Sequence, residues 1–483
     1  MDPQVFAIGL CVVYALATYG LSIIGMRKTS SLKSFALGKG DMSPLLAGVT
    51  MSSSIASTAT FVINPGFVYT EGLSAWAHYG ISAMAGLICA LIVLSNGFQK
   101  IGRSVDAVTL PDWMRKRYDS PAMGFTFAFL TLFYISFVVL ILGGSAIIIN
   151  GLFGIDYHWA LVGVLVFVFG YVLMGGTYAH AYTNFFQGVL MVFIALIVFG
   201  SGWEHLTNGF GEKLAAIGTS FASWTNPDSK LYYDMFSVFI SSFVITFALM
   251  LQPHILTKLL YIKDDKKVRR QFLAVAIVTA LIFNLMLFAG FYAKFDGVVG
   301  SWNNVTVNYI KEAFDPYLVT FILITLLAAG MSTLDGILVS ISSVVVADLV
   351  IPLSGNSEKM VEKGLSMSRY VLVAVGLVSL AIAWDAPKSL GLFAQLGIYG
   401  LVAAASPPLV VGILRPNFKQ GNAMLLLAGL SIGMHFGLRF GLDIINPAVT
   451  AAWGVIAGVG IGFVLSFVQS GQGSAEVSSL RSQ

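Results

Sequence analysis

The sequence predicts an all-α polytopic membrane protein, built from two five-span halves related by inversion, with further helices outside them. Three observations predict it. Apolar residues make up 57% of the 483, charged residues only 10%, and mean hydropathy is +0.84, a balance that no soluble domain carries. Apolar stretches of about 20 residues, the length that crosses a bilayer, recur thirteen times along the chain. Two of these stretches are interrupted, each at the start of a run of five, one by hydroxyl residues and Pro65, the other by Pro253.

The thirteen spans fall at 4–26, 42–71, 75–99, 121–149, 157–176, 180–201, 235–258, 270–294, 317–353, 367–384, 387–414, 421–440 and 447–469. The first has no basic leader and no small-residue cleavage pattern before Met26, so it reads as an uncleaved helix. Cys11 and Cys89 both lie inside apolar spans and suggest no disulfide. With the first loop assigned inside, 21 of the 27 Lys and Arg residues fall on the inner side and 6 on the outer. Basic excess marks the cytoplasmic face, so the N-terminus is expected outside and the C-terminus inside, in a multi-pass plasma (inner) membrane protein. That orientation needs an odd number of spans, as counted. The two longest connections, 202–234 and 295–316, fall outside and read as extracellular caps. The segment 470–483 reads as a disordered tail.

The first interruption is the stretch Thr50–Gly66, T-M-S-S-S-I-A-S-T-A-T-F-V-I-N-P-G, in which eight of seventeen positions are Ser, Thr or Asn. Unpaired backbone groups in hydrocarbon cost several kcal/mol, so irregular backbone at this depth survives only where it lines a cavity. The second is L-M-L-Q-P-H-I at 249–255, where Pro253 removes a helical hydrogen bond. Repeats at 42–201 and 235–414 then each begin with a broken helix and hold five spans. Five is odd, so the second copy is inverted. Paired broken helices in corresponding positions point to a transporter with its site at the bilayer midplane. The span 4–26 stands before the repeats and two spans in 421–469 stand after them, within one transmembrane domain over 1–483.

The span 317–353 adds Ser332, Thr333 and Asp335 in mid-membrane, and an ionisable group there marks a functional site by default. A hard cation takes several oxygen ligands, and helix carbonyls are available only where a helix is broken. Carbonyls of Ser53 and Ala56 with the hydroxyls of Ser332 and Thr333 make such a set for Na⁺. The six histidines show no H-x-x-x-H pattern and no acidic or Cys partner at metal spacing, so nothing reads as an enzyme. The run K-D-D-K-K-V-R-R at 263–270 reads as a solvated inner loop, and no nucleic-acid partner is expected.

Over about 5–415 the chain resembles the sodium/solute symporter family, which includes bacterial proline, pantothenate and galactose symporters and animal sodium-glucose transporters. The resemblance rests on S-F-A-L-G-K-G at 34–40, N-P-G at 64–66, T-L-P-D at 109–112, G-G-T-Y-A-H-A-Y-T-N-F-F-Q-G at 175–188, Q-P-H-I-L at 252–256 and L-A-A-G-M-S-T-L-D at 327–335. It implies the LeuT-type fold of five plus five inverted helices. It adds Ala329 to the Na⁺ set of Ser53, Ala56, Ser332 and Thr333. It also implies a solute site formed by Ser57, Thr60, Phe61 and Asn64, faced by His78, Tyr79 and Ser82, with Thr246, Gln252, Gln395 and Tyr399 from the second repeat. Asn184 stands where many relatives carry an aspartate that serves a second ion, which favours one Na⁺ per cycle unless Asp335 takes that part. Ile55 stands where proline relatives carry an acid, which argues against a proline-like site. No Lys or Arg falls in the expected pocket. The first broken helix is more similar to pantothenate and monocarboxylate relatives than to sugar relatives, so the expected function is Na⁺-coupled symport of a small carboxylate-bearing nutrient. A sugar or polyol symporter, or a membrane-embedded nutrient sensor on the same fold, is the alternative. The expected partners are the solute, sodium and the lipid bilayer.

Overall fold

A computed structural model describes residues 2–37, 43–256, 265–385 and 387–481. Among these residues there are helices and no strands. Eleven helices are long and apolar enough to cross a membrane. They are α1 (Pro3–Met26), α4 (Leu73–Leu94), α6 (Pro121–Phe153), α7 (Tyr157–Met174), α8 (Thr177–Ser201), α10 (Ile277–Phe295), α11 (Pro316–Leu353), α12 (Gly364–Trp384), α13 (Leu390–Leu414), α14 (Gly421–Gly441) and α15, whose apolar part is Pro447–Gln469. Each matches one of the thirteen expected spans. The other two expected spans are the interrupted ones, and neither forms a continuous helix. The first divides into α2 (Pro44–Ile55) and α3 (Asn64–Glu71). The second gives α9 (Phe236–Leu249) and a short turn of helix at Pro253–Leu256.

Local sequence sets many of the starts. Asp2, Ser43, Asp315 and Asn446 each precede a proline, and each side chain accepts a backbone N–H of the first turn that follows. Proline at the first helical position gives up a donor that would have had no partner, and the capping oxygen takes one of the remaining orphans.

Helical hydrogen bonding runs on from Tyr157 to Ser201, yet α7 and α8 are two arms. Tyr14 meets the Phe167 ring at 6.0 Å between centroids and accepts the Gln187 amide at 2.7 Å. Twenty residues of straight helix span about 30 Å, so the chain turns back between the arms, with α1 lying along both.

The core sits on α11 and α13, which are nearly all buried from Ile322 to Val339 and from Gly397 to Val411. At the periphery, α1 exposes Val5, Ile8, Val12 and Leu16, and α12 exposes Tyr370, Leu377 and Val378. In a membrane protein these apolar faces meet lipid.

The long connections at 202–234 and 295–316 carry short helices of their own, at Trp203–Thr207, Phe210–Ile217 and Val305–Ala313. One of them packs on the first broken helix: a Cβ at Gly66 would lie 2.0 Å from the Trp302 carbonyl oxygen. On the opposite side, α5 (Leu110–Tyr118) holds the T-L-P-D motif. Thr109 caps α5 and donates to Asp348 at the end of α11. Arg117 reaches the carbonyls of Gly412, Arg415, Pro416 and Phe418, between 2.9 and 3.2 Å, at the end of α13.

Two expectations differ. The basic run at 263–270 lies partly outside the described residues, and from Asp265 it forms the first turns of the helix that becomes α10. The tail read as disordered continues α15 as helix to Arg481, and no proline follows Gln469 to stop it.

Candidate functional site

The first broken helix parts at Ala56–Ser57. Ala56 leaves helical geometry at φ −80°, ψ 87° while its N–H still bonds to Ser52. Helical turns resume only beyond Ser57, whose carbonyl accepts Thr60 N–H at 2.9 Å. Carbonyls just before the break therefore lack their usual donors four residues on, and α11 supplies substitutes. Ser332 Oγ lies 2.9 Å from the Ser53 carbonyl oxygen and 2.8 Å from that of Ala329. Thr333 Oγ1 donates to the Ser54 carbonyl at 3.2 Å. Ser53, Ala56, Ala329, Ser332 and Thr333 are all buried. Neutral oxygens gathered at one buried point, as those of Ser53, Ala329 and Ser332 are, are the donor set a monovalent hard cation takes, while the Thr333 hydroxyl turns to Ser54 beside them. The hydroxyl that now bridges two carbonyls can turn its lone pairs inward when such an ion enters.

Asn184 braces this site from α8. Its amide donates to the Ser332 carbonyl at 2.8 Å and to Ser54 Oγ at 3.1 Å, and its own carbonyl accepts Ser53 Oγ at 2.7 Å. Asp335 is 1% exposed and is paired with His180, whose Nδ1 lies 2.6 Å from Oδ1. His180 approaches so closely because residue 336 is glycine; a Cβ there would lie 2.8 Å from the ring.

Beside these oxygens is a cavity of about 130 Å³. Of the expected solute residues it is lined by Ser57, Thr60, Asn64, Tyr79, Thr246, Gln252, Gln395 and Tyr399. Three do not line it. Phe61 is fully buried in the apolar core. His78 turns to the start of α9, with Nδ1 3.0 Å from the Ser237 carbonyl. Ser82 donates to the Phe239 carbonyl on the same helix. The rotation of each helix about its axis, fixed by packing, carries these side chains out of the cavity.

Four polar residues absent from the expected set bond to the site's side chains, and of these His254 lines the cavity. Tyr232 donates to Tyr79 Oη at 3.1 Å, and the Gln395 amide donates to the same oxygen at 3.1 Å. His254 lines the cavity, and Tyr134 stands behind it, joining His254 to Gln252. His180 sits one helical turn before Asn184, which was a readable signal, and His254 sits in the Q-P-H break. Tyr134 and Tyr232 carry no such signal among the chain's 18 tyrosines. Among the described residues no Lys or Arg lines the cavity.

A model of the "Sodium:solute symporter family" matches residues 35–433. The chain belongs to that family. Among curated relatives, the sodium/pantothenate symporter of Escherichia coli is 25% identical over 432 residues, covering 87% of this chain and 88% of the relative. The high-affinity proline transporter PutP of Bacillus subtilis is 25% identical over 424 residues, covering 84% and 86%. A solved Na⁺-coupled sialic acid symporter in a substrate-bound outward-open state superposes with a TM-score of 0.75 at 18% identity, over 95% of this chain and 98% of that one. MhsT in complex with L-phenylalanine superposes with a TM-score of 0.54 at 15% identity, over 87% and 99%. The fold is the LeuT type, and the transport class of this symporter is Na⁺-coupled symport of a small organic solute.

Proposed function

We propose that this symporter couples one Na⁺ to the uptake of a small carboxylate-bearing nutrient, with Na⁺ held by Ser53, Ala56, Ala329, Ser332 and Thr333 and the solute in the adjoining cavity. The observation that carries the ion site is the Ser332 hydroxyl, shared between the carbonyls of Ser53 and Ala329. Na⁺ there ties the first broken helix to α11 and orders the cavity wall, so ion and solute each raise the other's affinity. Rocking of the bundle that carries the two broken helices then opens the site inward. The basic residues favour an N-terminus outside and a C-terminus inside a plasma (inner) membrane.

The lining supports the acid. Most of it is apolar, including Ile55, Ile63, Leu140, Leu249, Phe283 and Ile398, which disfavours a polyol. The Thr60 hydroxyl is buried without a partner among the described residues, and Tyr79 Oη, already accepting two hydrogen bonds, keeps its proton to donate. The volume favours a short acid or small amino acid over a pantothenate-sized one, since a cavity of about 150 Å³ holds benzene. A tenfold Na⁺ gradient contributes about 1.4 kcal/mol, which sustains about tenfold accumulation of a monoanion, since one Na⁺ and one carboxylate cross without net charge. For a zwitterionic amino acid one net charge crosses, about 100 mV adds about 2.3 kcal/mol, and accumulation reaches a few hundredfold. Liposomes holding the purified chain, with an imposed Na⁺ gradient and a panel of labelled acids, amino acids and sugars, test this. Uptake of a short acid only with inward Na⁺ is expected; equal uptake with K⁺ on both sides overturns the coupling.

A further inference from the structure

The two repeats place α6 and α11 in equivalent positions, each the third span of its half. In the first half, the break at Ala56–Ser57 is met by the Ser332 hydroxyl from α11. In the second half, the break between Leu249 and Pro253 is met by a hydroxyl from α6. That hydroxyl belongs to Tyr134, 1% exposed, which lies 3.0 Å from Gln252 Oε1 and 3.1 Å from His254 Nδ1. Where the first break has an ion site, its counterpart has side chains bonded to one another.

The direction of these bonds follows from proton counting. Gln252 Oε1 can only accept, so Tyr134 spends its single proton on it. The Tyr134 oxygen then accepts, and His254 Nδ1–H is the donor. The relay runs from His254 through Tyr134 to Gln252. It occupies the carbonyl end of the Gln252 amide and leaves the NH₂ end, which has no hydrogen-bond partner among the described residues, on a side chain lining the solute cavity. An amide held in this sense presents two N–H donors and no acceptor.

We infer that Tyr134 and His254 are positioning residues for solute recognition: they lock Gln252 so that its amide N–H groups bind the solute's carboxylate. The inference rests on the acid reading above. Gln252 does the work that a lysine or arginine does in many acid-binding sites, and it does so without burying a charge. Free rotation of the same amide would offer oxygen and nitrogen alternately and halve the time that donors face the acid. The relay belongs to the solute site alone; the oxygens assigned to Na⁺ lie on α2, on the break that follows it at Ala56, and on α11.

The test uses the full chain in liposomes with an inward Na⁺ gradient and labelled acetate, pyruvate, L-proline and pantothenate. For the acid that the unaltered protein accumulates, Tyr134→Phe is expected to raise KM about tenfold, with Vmax and half-saturating Na⁺ within twofold. Gln252→Glu, nearly the same shape but without N–H donors, is expected to abolish uptake of that acid while the protein still elutes as a single species in detergent. A residue with a merely structural part would lower Vmax and leave KM unchanged, and that result with both variants overturns the relay. If Tyr134→Phe fails to fold, Gln252→Glu with unchanged KM overturns it alone. If the unaltered protein accumulates none of the four acids, the acid reading fails, and the carboxylate assigned to Gln252 falls with it.

Discussion

Ser332 Oγ lies 2.9 Å from the carbonyl oxygen of Ser53, a residue 279 positions earlier in the chain. The contact joins the break in one repeat to the third span of the other. In the proposed mechanism an ion bound between them holds the two halves of the molecule in one arrangement and so reaches the solute cavity.

Removing that hydroxyl tests the assignment. Ser332→Ala is expected to raise the half-saturating Na⁺ concentration about tenfold, the equivalent of about 1.4 kcal/mol. At saturating Na⁺ the solute KM returns close to normal, because coupling passes through ion occupancy. Initial uptake rates over a Na⁺ series check both. An unchanged Na⁺ requirement removes Ser332 from the site.

His180 and Asp335 form a pair whose members are 3% and 1% exposed. Taking away His180 leaves Asp335 the longer bond from Tyr171, 3.4 Å from Oδ2, and removing one partner of a buried ion pair costs about 3–5 kcal/mol. His180→Ala is expected to lower the melting temperature in detergent more than the double change His180→Ala with Asp335→Leu, which leaves no stranded group. Equal melting temperatures for the three proteins would dissolve the pair.

Arg117 ties α5 to the end of α13 through four carbonyl oxygens. Hydrogen bonds from a charged donor contribute about 1.5–3 kcal/mol, so Arg117→Met is expected to cost about 2–4 kcal/mol. Arg117→Lys is expected to restore less than half of it, since all four oxygens gather on Nη2 at the far end of the guanidinium and the shorter lysine side chain brings its ammonium short of that point. Thermal unfolding of the three proteins decides the order.

Gly66 is where the first broken helix touches the connection 295–316 at Trp302. Gly66→Ala forces backbone apart from backbone and is expected to cut uptake at least tenfold at equal protein level. Gly9→Ala, with nothing within 4 Å of its added Cβ, serves as the control and is expected to transport normally.

Some of the site was legible because its chemistry is local. Ser53 and Ala56 announce themselves through a hydroxyl-rich interruption of an apolar span, and Ser332 and Thr333 through adjacent hydroxyls at mid-membrane depth. Phe61, His78 and Ser82 have the right depth too, yet the structure turns them into the core or onto α9. Depth follows from counting residues along a span. Which way a side chain faces does not, because every helix in a membrane is apolar on several sides.

The sequence by itself determined the membrane class, the spans, the two breaks and the family, since hydropathy, proline and motif order are properties of short stretches. Tertiary structure alone decided that the Tyr134 hydroxyl meets Gln252, 118 residues away, and that His180 meets Asp335, 155 residues away. Those meetings depend on how helices rotate and cross when they pack, and no short stretch carries that information. The oxygens for an ion could be counted from the chain; the amide that faces the solute had to be oriented by its neighbours.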